Sequence, residues 1–286
     1  MPQSVDAAFK EAWRRFGAVD IDSARIDARL LMGAVLGGGV ERVLAERDRD
    51  LTPDESQLFD QYVKRRESFE PISQILGEKE FWSLPFKVTP ATLTPRPDTE
   101  TIVEAALETV DTPPKRLLDL GTGSGCIVLA LLSEWKQTEG VGVDASPEAL
   151  AVAMENADIL GLLNRTTFHQ ADWRLKDWQS DLGGLFDVVV SNPPYIPDGD
   201  IEGLDADVRT FEPLSALAGG KDGLNAYREI IAELPNVLAK GGLVVFEVGI
   251  GQADDVLKLL VFAGFEKVEK RQDLAGIARA IMARRV

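Results

Sequence analysis

A short apolar run leads into a glycine-rich loop at Leu117-Leu118-Asp119-Leu120-Gly121-Thr122-Gly123-Ser124-Gly125. The apolar residues are typical of a buried parallel strand, and the glycines allow a tight turn and the close approach of a ligand to the backbone. The apolar residues after Gly125 predict a helix. From here to the end of the chain, strand and helix patterns alternate, and the last two strands are joined by a short glycine-containing connection. The sequence therefore predicts an α/β fold with a mostly parallel sheet and an antiparallel last strand.

The chain before this sheet has a different character. Residues 1–76 have apolar side chains at helical spacing, and Thr52-Pro53-Asp54-Glu55 combines a capping residue, a proline at the first helical position and a glutamate at the third. Residues 77–94 predict a β-hairpin, with two short strands around a Pro-containing turn. We therefore predict a small N-terminal helical domain over 1–76, a hairpin linker over 77–94 and the α/β domain over 95–286.

The composition excludes several classes of protein. The chain has 286 residues, 45% of them hydrophobic, one cysteine and a net charge of −16. This acidity argues against a protein that grips a nucleic-acid backbone, and a single cysteine excludes a disulfide framework. No apolar run approaches the roughly 20 residues that span a bilayer, and the first residues lack the pattern of a signal peptide. We expect a cytoplasmic protein that binds neither nucleic acid directly nor membranes.

The glycine loop and the next strand predict a nucleotide-containing cofactor. Val141-Gly142-Val143-Asp144 ends in an acid about 20 residues after the loop, where a carboxylate can accept the hydrogens of both ribose hydroxyls. A dinucleotide loop would require a third glycine at the position of Cys126. The loop instead resembles the S-adenosylmethionine loop of Rossmann-like methyltransferases. The predicted cofactor-binding residues are Gly121, Thr122, Gly123, Ser124, Gly125, Asp144, Trp173 and Asn192.

Trp173 is the aromatic member of this set, and it follows the predicted strand Thr166–Gln170. An adenine ring would lie at the end of that strand, where an indole can stack on it. A single tryptophan also commonly serves as a core residue, so packing is the alternative interpretation. His169, within the strand, is interpreted as structural, and Cys126 as a small core residue opening the next helix.

The tetrapeptide Asn192-Pro193-Pro194-Tyr195 directly follows the predicted strand Phe186–Ser191. Pro193 and Pro194 have no N–H, and a residue before proline is pushed out of the helical region. The segment is therefore predicted to be an extended row of acceptors that begins with the Asn192 side chain and ends at the Tyr195 ring. Such an arrangement suits a planar NH2 group, which needs two acceptors and a flat surface.

With these motifs the chain resembles the HemK/PrmC family of methyltransferases. The resemblance covers essentially the whole chain and includes the runs Pro95-Arg96-Pro97-Asp98-Thr99-Glu100 and Val208-Arg209-Thr210-Phe211-Glu212-Pro213. It is most specific where Arg96-Pro97 and Phe211-Glu212-Pro213 accompany an N-terminal helical domain. It implies that S-adenosylmethionine is the cofactor and that the partners are peptide chain release factors. The implied reaction is methylation of the side-chain amide nitrogen of glutamine in a Gly-Gly-Gln motif.

The resemblance also implies roles for the tetrapeptide. The Asn192 side chain and the Pro193 carbonyl would accept the two amide hydrogens, and Tyr195 would pack against the amide plane. Asn192, Pro193 and Tyr195 are therefore the predicted catalytic residues, and together with Pro194 they form the predicted substrate site. No general base and no metal site is expected, so positioning and electrostatics would carry the reaction. The helical domain would supply a second contact surface for a large substrate, or serve as a stabilising appendage.

Three other interpretations stay open on the sequence alone. A methyltransferase of exocyclic amino groups in nucleic acid must also hold a flat NH2 group, but the negative charge counts against it. A nicotinamide oxidoreductase is disfavoured by Cys126, and a non-catalytic cofactor-binding regulator is disfavoured by an intact Asn192–Tyr195 segment.

Overall fold

A computed structural model describes residues 3–286 of the chain. These residues form two compact units. One contains the described residues up to Glu78 together with the segment Asp205–Phe211, and the other contains Lys79–Leu204 and Glu212–Val286. The predicted helical domain begins with residues 1 and 2, which lie outside the described residues. The domain boundaries remain a prediction, and the inclusion of Asp205–Phe211 in the first unit was not anticipated.

The first unit is helical, as the spacing of its apolar residues predicts. Its core includes the fully buried side chains of Phe16, Leu31 and Met32. Within this core the guanidinium of Arg66 donates from Nε to Oδ2 of the buried Asp27 over 2.8 Å. The helices before the hairpin are α1 (Val5–Ala18), α2 (Ala24–Val35), α3 (Val40–Ala45), α4 (Pro53–Glu67) and α5 (Ile72–Leu76).

The predicted start of α4 is confirmed in detail. The Thr52 side chain accepts a hydrogen bond from the Glu55 N–H, and the Glu55 carboxylate accepts one from the Thr52 N–H, which completes a capping box. Pro53 occupies the first helical turn, where its missing N–H costs nothing. Local chemistry alone therefore determines where this helix begins.

A β-hairpin follows, formed by β1 (Glu78–Phe81) and β2 (Leu84–Lys87). Its turn consists of Trp82 and Ser83, which have φ angles of 53° and 57°. Two successive left-handed residues match the twist of a tight hairpin. The prediction that the turn contains proline was wrong, because Pro85 lies inside β2. Proline is tolerated there because a two-stranded sheet consists of edge strands only.

The second unit contains a seven-stranded sheet flanked by helices. Glu247 ends one strand of this sheet, and Thr99 lies in a short 3-10 helix before the first long helix of the unit. The remaining elements, in chain order, are α6 (Glu100–Thr109), β3 (Arg116–Leu120), α7 (Cys126–Glu134), β4 (Glu139–Asp144), α8 (Pro147–Ile159), β5 (Thr166–Gln170), β6 (Phe186–Ser191), α9 (Ala206–Phe211, in the first unit), α10 (Asn225–Val237), β7 (Leu238–Glu247), α11 (Ala253–Phe262), β8 (Glu266–Gln272) and β9 (Ala278–Arg284).

The strand order confirms the predicted fold class. The sheet runs β5-β4-β3-β6-β7-β9-β8, and the pairs from β5 to β7 are parallel. The last strand, β9, pairs antiparallel with β7 on one side and with β8 on the other. The strand that ends the chain is thus inserted inside the sheet, and β8 forms the edge. No helix within residues 3–286 is both long and apolar enough to cross a membrane.

The register brings the functional motifs to one edge of the sheet. Leu120 of β3 pairs with Ser191 of β6, and Ser191 pairs with Phe246 of β7. Because these strands are parallel, the loops that follow them leave the sheet side by side. The glycine loop, Asn192 and Glu247 are therefore neighbours although they lie far apart in the sequence.

Candidate functional site

The glycine loop is built by left-handed backbone at each of its glycines. Gly121, Gly123 and Gly125 have φ angles of 72°, 55° and 80°. The N–H groups of Gly121 and Thr122 both donate to the Val143 carbonyl, at 2.8 and 2.9 Å, so the loop is fastened to the neighbouring strand β4. A Cβ atom on Gly121 would lie 3.5 Å from the Trp173 ring. The loop thus brings bare backbone close to an aromatic side chain.

Asp119, the last acid before the loop, is fully buried. Its Oδ2 accepts a hydrogen bond from the Thr122 hydroxyl over 2.8 Å, while Oδ1 has no partner among the described residues. Burial raises the pKa of this carboxyl to about 7. Asp119 therefore shapes the loop from within.

Asp144 ends β4 and connects the glycine loop to the start of α8. Its Oδ2 accepts from the Gly123 N–H and its Oδ1 from the Ser146 N–H, each over 2.9 Å. The Ser146 side chain in turn caps α8 by accepting from the Ala149 N–H. The carboxylate is partly exposed. It is held rigidly while its remaining lone pairs stay available to a ligand.

A cavity of about 620 Å³ opens above this edge of the sheet. This volume lies within the range of small-molecule sites. Among the described residues, the predicted site residues on its wall are Gly121, Thr122, Gly123, Ser124, Asp144, Trp173, Asn192 and Pro194. Three predicted residues, Gly125, Pro193 and Tyr195, are not on that wall. Gly125 instead opens α7, where an added Cβ would lie 3.1 Å from a methyl group of Leu129.

Trp173 lies on the cavity wall next to the glycine loop. Its indole N–H donates to Oε2 of Glu229 over 3.2 Å. Glu229 belongs to α10 and also lines the cavity, as does Asp172. Asp172 is paired with Arg174, which lowers the pKa of its carboxyl. The indole ring is therefore oriented by a hydrogen bond at its edge and leaves a flat apolar face near the loop.

The tetrapeptide is held from several sides. The Asn192 amide donates from Nδ2 to the Thr99 hydroxyl oxygen over 3.3 Å. The Tyr195 hydroxyl donates to Oε1 of Glu247 over 3.3 Å, and the Tyr195 carbonyl accepts from Nε2 of Gln252 over 2.8 Å. Burial raises the pKa of Tyr195 to about 12, so its hydroxyl stays protonated at neutral pH. A phenolate base is thereby excluded.

Sequence reasoning missed several residues of this site. Thr99, Asp172 and Glu229 line the cavity, and Glu247 lies beneath the tetrapeptide. Glu247 had a signal in the sequence, because it is the single charged residue in the apolar run Val244-Val245-Phe246-Glu247-Val248 at the end of a strand. A carboxylate at such a position is costly to bury and therefore points to a function. The other three carry no comparable local pattern.

Metal-binding clusters, the cysteine and the histidine are the other sources of chemistry in the chain. Within residues 3–286 no group of three or more His, Cys, Asp or Glu side chains could hold a metal ion. Cys126 is buried at the start of α7, and burial raises the pKa of its thiol to about 12. His169 lies in β5, as predicted, and is not among the residues that line the cavity.

The chain matches two family models. Residues 7–77 match the PrmC N-terminal domain, and residues 111–271 match a methyltransferase domain.

Three curated relatives share the name release factor glutamine methyltransferase. The relative from Rhodospirillum rubrum is 46% identical over 96% of this chain and 82% of its own length. Those from Caulobacter vibrioides and Escherichia coli K12 are 41% and 40% identical, over 96% and 92% of this chain and 94% and 93% of their own lengths.

Solved structures show the same fold at low sequence identity. The hMettl16 catalytic domain, crystallised with the MAT2A 3'UTR hairpin 1, is 14% identical with a TM-score of 0.59, and the match covers 84% of each chain. A methyltransferase from Pyrococcus furiosus is 15% identical with a TM-score of 0.51, covering 72% of this chain and 91% of that one. At these identities the likeness concerns the fold alone.

Proposed function

Because this chain belongs to the family of release factor glutamine methyltransferases, we propose that it methylates the glutamine of the Gly-Gly-Gln motif in peptide chain release factors. The acceptor is the side-chain amide nitrogen, and the methyl donor is S-adenosylmethionine. The observation that carries the proposal is the position of Asn192. Its amide lies on the wall of the same cavity as the glycine loop and Asp144.

The residues of the cavity fit S-adenosylmethionine. Asp144 keeps free lone pairs for the ribose hydroxyls, and the bare backbone at Gly121 and Gly123 admits a ligand closely. Ser124 lines the cavity with a buried hydroxyl oxygen that has no partner among the described residues. The Trp173 face is suited to adenine. When bound, this cofactor supplies a methyl group on a positively charged sulfur.

The tetrapeptide is suited to the glutamine amide. An amide nitrogen is a poor nucleophile because its lone pair is delocalised into the carbonyl. Acceptance of its two hydrogens by the Asn192 side chain and the Pro193 carbonyl favours a geometry in which the lone pair faces the methyl donor. Pro193 and Pro194 offer no competing N–H, and the Tyr195 ring limits the tilt of the amide. Such positioning can lower a barrier by about 7–11 kcal/mol in well-aligned cases.

The proposal is tested by mass spectrometry of a release factor incubated with this protein and S-adenosylmethionine. The expected result is one added methyl group on the peptide that contains Gly-Gly-Gln. A release factor in which that glutamine is replaced by glutamate serves as the control and should stay unmodified. Methylation of the control, or of another site only, would contradict the proposal.

We further propose that the protein acts in the cytoplasm and contacts no nucleic acid or membrane directly. A net charge of −16 repels phosphate backbones and anionic lipid surfaces alike. The same charge disfavours the alternative of an amino methyltransferase acting on nucleic acid. Binding of a single-stranded oligonucleotide, measured at low and at high salt, separates the two: tight, salt-sensitive binding would favour the alternative.

The first prediction concerns Asp144→Ala. This variant should bind S-adenosylmethionine about 10- to 150-fold more weakly, because a charged hydrogen bond contributes roughly 1.5–3 kcal/mol. Ribose binding is the same in ground and transition states, so the loss should appear mainly in the cofactor KM and not in kcat. Calorimetric titration measures the affinity, with Asp158→Ala on the exposed face of α8 as the control. An unchanged affinity would refute the ribose assignment.

A second prediction concerns Trp173. If its ring stacks on adenine, Trp173→Ala should lose about 1–3 kcal/mol of cofactor affinity, the scale of base–aromatic stacking. Trp173→Phe keeps a flat face and should stay close to wild type, although it loses the hydrogen bond to Glu229. Equal affinity of the alanine variant and the wild type, with an intact circular dichroism spectrum, would return this residue to a packing role.

A further inference from the structure

Glu247 is a buried carboxylate to which the proposed function gives no task. It ends β7 and is 1% exposed. Oε1 accepts from the Tyr195 hydroxyl, whereas Oε2 forms no hydrogen bond within the described part of the chain. The Tyr227 hydroxyl binds only its backbone carbonyl, over 2.7 Å. A glutamate buried in this way costs several kcal/mol unless its environment compensates, so it is not explained by packing.

Thr99 connects this carboxylate to the tetrapeptide. Its side chain is buried at 3% exposure, and its hydroxyl oxygen accepts from Nδ2 of Asn192. Thr99 also lowers the pKa of the Glu247 carboxyl against the effect of burial. No hydrogen bond joins the two side chains in this structure: Oε2 of Glu247 has no partner among the described residues, and the contact with Asn192 uses the oxygen of the Thr99 hydroxyl and not its hydrogen.

The direction of each hydrogen bond follows from this arrangement. An ionised carboxylate only accepts, so the hydroxyl hydrogen of Thr99 is free to serve Glu247 while its oxygen accepts from Asn192. The Asn192 amide must then donate with Nδ2, which leaves its carbonyl oxygen free. The two ends of an asparagine amide have nearly the same shape, so packing alone does not choose between them.

We propose that Glu247 is a positioning residue that acts through Thr99 to turn the carbonyl oxygen of Asn192, and not its NH2 group, toward the substrate. This inference rests on the proposed function, because only an NH2 substrate needs an acceptor at that point. With the amide reversed, two NH2 groups would face each other. Glu247 touches neither the substrate nor the cofactor in this scheme.

The same carboxylate also fixes the other end of the tetrapeptide. The Tyr195 hydroxyl binds Oε1 of Glu247, and Gln252 holds the Tyr195 carbonyl. A Cβ atom on Gly249 would lie 2.9 Å from the Tyr195 ring, so the ring is enclosed on that side as well. One buried charge thus controls both the acceptor and the aromatic surface of the substrate site.

The charge state of Glu247 gives a readout that a packing role would lack. Burial, with a smaller contribution from Asp98, raises its pKa to about 7 against the lowering effects of Thr99, Arg279 and Tyr195. The Tyr227 hydroxyl donates to the backbone carbonyl of Glu247 and stays neutral, because burial raises the pKa of Tyr227. Above the pKa the carboxylate accepts from Thr99; below it the protonated group can donate and reverse the chain of hydrogen bonds. Activity should therefore fall as pH falls through about 7.

The test compares three variants with the wild-type full-length protein, using methylation of a release factor and calorimetric binding of S-adenosylmethionine. Glu247→Gln and Thr99→Val should each lower kcat by on the order of 10²-fold, the scale of a misplaced reacting group. Cofactor affinity should change by less than about 3-fold. Thr99→Ser keeps the hydroxyl and should restore most of the activity lost in Thr99→Val. The remaining activity of Glu247→Gln should not fall as the pH is lowered through about 7, unlike that of the wild type.

Glu266→Gln, the same chemical change at an exposed site on β8, is the control. Wild-type kcat in both Glu247→Gln and Thr99→Val would overturn the inference, as would equal activities of the serine and valine variants at position 99. If Glu247→Gln fails to fold, the activities of the two Thr99 variants and the pH profile of the wild type still test the inference. A wild-type protein that binds the cofactor but leaves release factor unmodified overturns the proposed function itself; an active wild type with unaffected variants overturns this inference alone.

Discussion

Asn192→Ala is expected to lower kcat for release factor methylation by about 10²–10³-fold, the effect of removing one preorganised hydrogen-bonding group at a reacting centre. The Asn192 amide lies on the cavity wall and is fixed by Thr99, so its carbonyl oxygen is positioned before substrate arrives. An interaction that matters most in the transition state lowers kcat and kcat/KM together. Cofactor affinity should change by only a few-fold, since Asn192 is one of many residues on that wall.

Single-turnover methylation followed by mass spectrometry measures this effect without interference from product release. Asn236→Ala, an exposed asparagine near the end of α10, is the matched control and should behave as wild type. A large loss of cofactor affinity with an unaffected kcat would assign Asn192 to the cofactor instead of to the substrate amide.

The second large effect is expected from removal of residues 1–76. The truncated protein should bind S-adenosylmethionine nearly as well as the full chain, because every cavity residue lies between Ala91 and Glu229. It should lose nearly all kcat/KM for an intact release factor. A single exposed loop buries too little surface for a specific complex, which usually requires more than about 1,000 Å². The helical unit is the sizeable region that has no other proposed task.

A short Gly-Gly-Gln peptide distinguishes recognition from folding in this experiment. It should be a poor substrate for both forms, with little difference between them. Equal losses for the intact factor and the peptide would mean that the helical unit supports folding only. The segment Asp205–Phe211 belongs to that unit, and Gln74 donates to the Phe211 carbonyl over 3.1 Å. Cofactor binding by the truncated form is therefore the necessary control for an intact cavity.

Much of the fold was readable because it depends on local patterns. The glycine loop, Asp144 and the apolar strands are each specified within about ten residues, and they appear where the sequence predicts them. The position of β9 inside the sheet was not predicted, although β8 is rich in charge and β9 contains the apolar run Ala280–Ala283. A charged strand is suited to a sheet edge and an apolar one to the interior, so the composition of the two strands contains the information.

The connection between Thr99, Asn192 and Glu247 could not be read in the same way. Thr99 and Asn192, which share a hydrogen bond, are 93 positions apart in the sequence. The proximity of Asn192 and Glu247 depends on the register of three parallel strands. No periodicity or spacing in the sequence predicts such a tertiary contact. Pro193 and Tyr195 illustrate the same limit: their residue types indicate chemistry, but only the tertiary structure shows that neither lies on the cavity wall.

Cys126 has a further consequence for a protein that handles an alkylating agent. The chain's single cysteine lies on the wall of the proposed cofactor cavity, where a thiolate would be a far better nucleophile than any amide. With a pKa of about 12, only about one thiol in 10⁵ is ionised at pH 7. We therefore expect the burial of this side chain to suppress its own methylation, which would leave the methyl group for the weaker amide nucleophile.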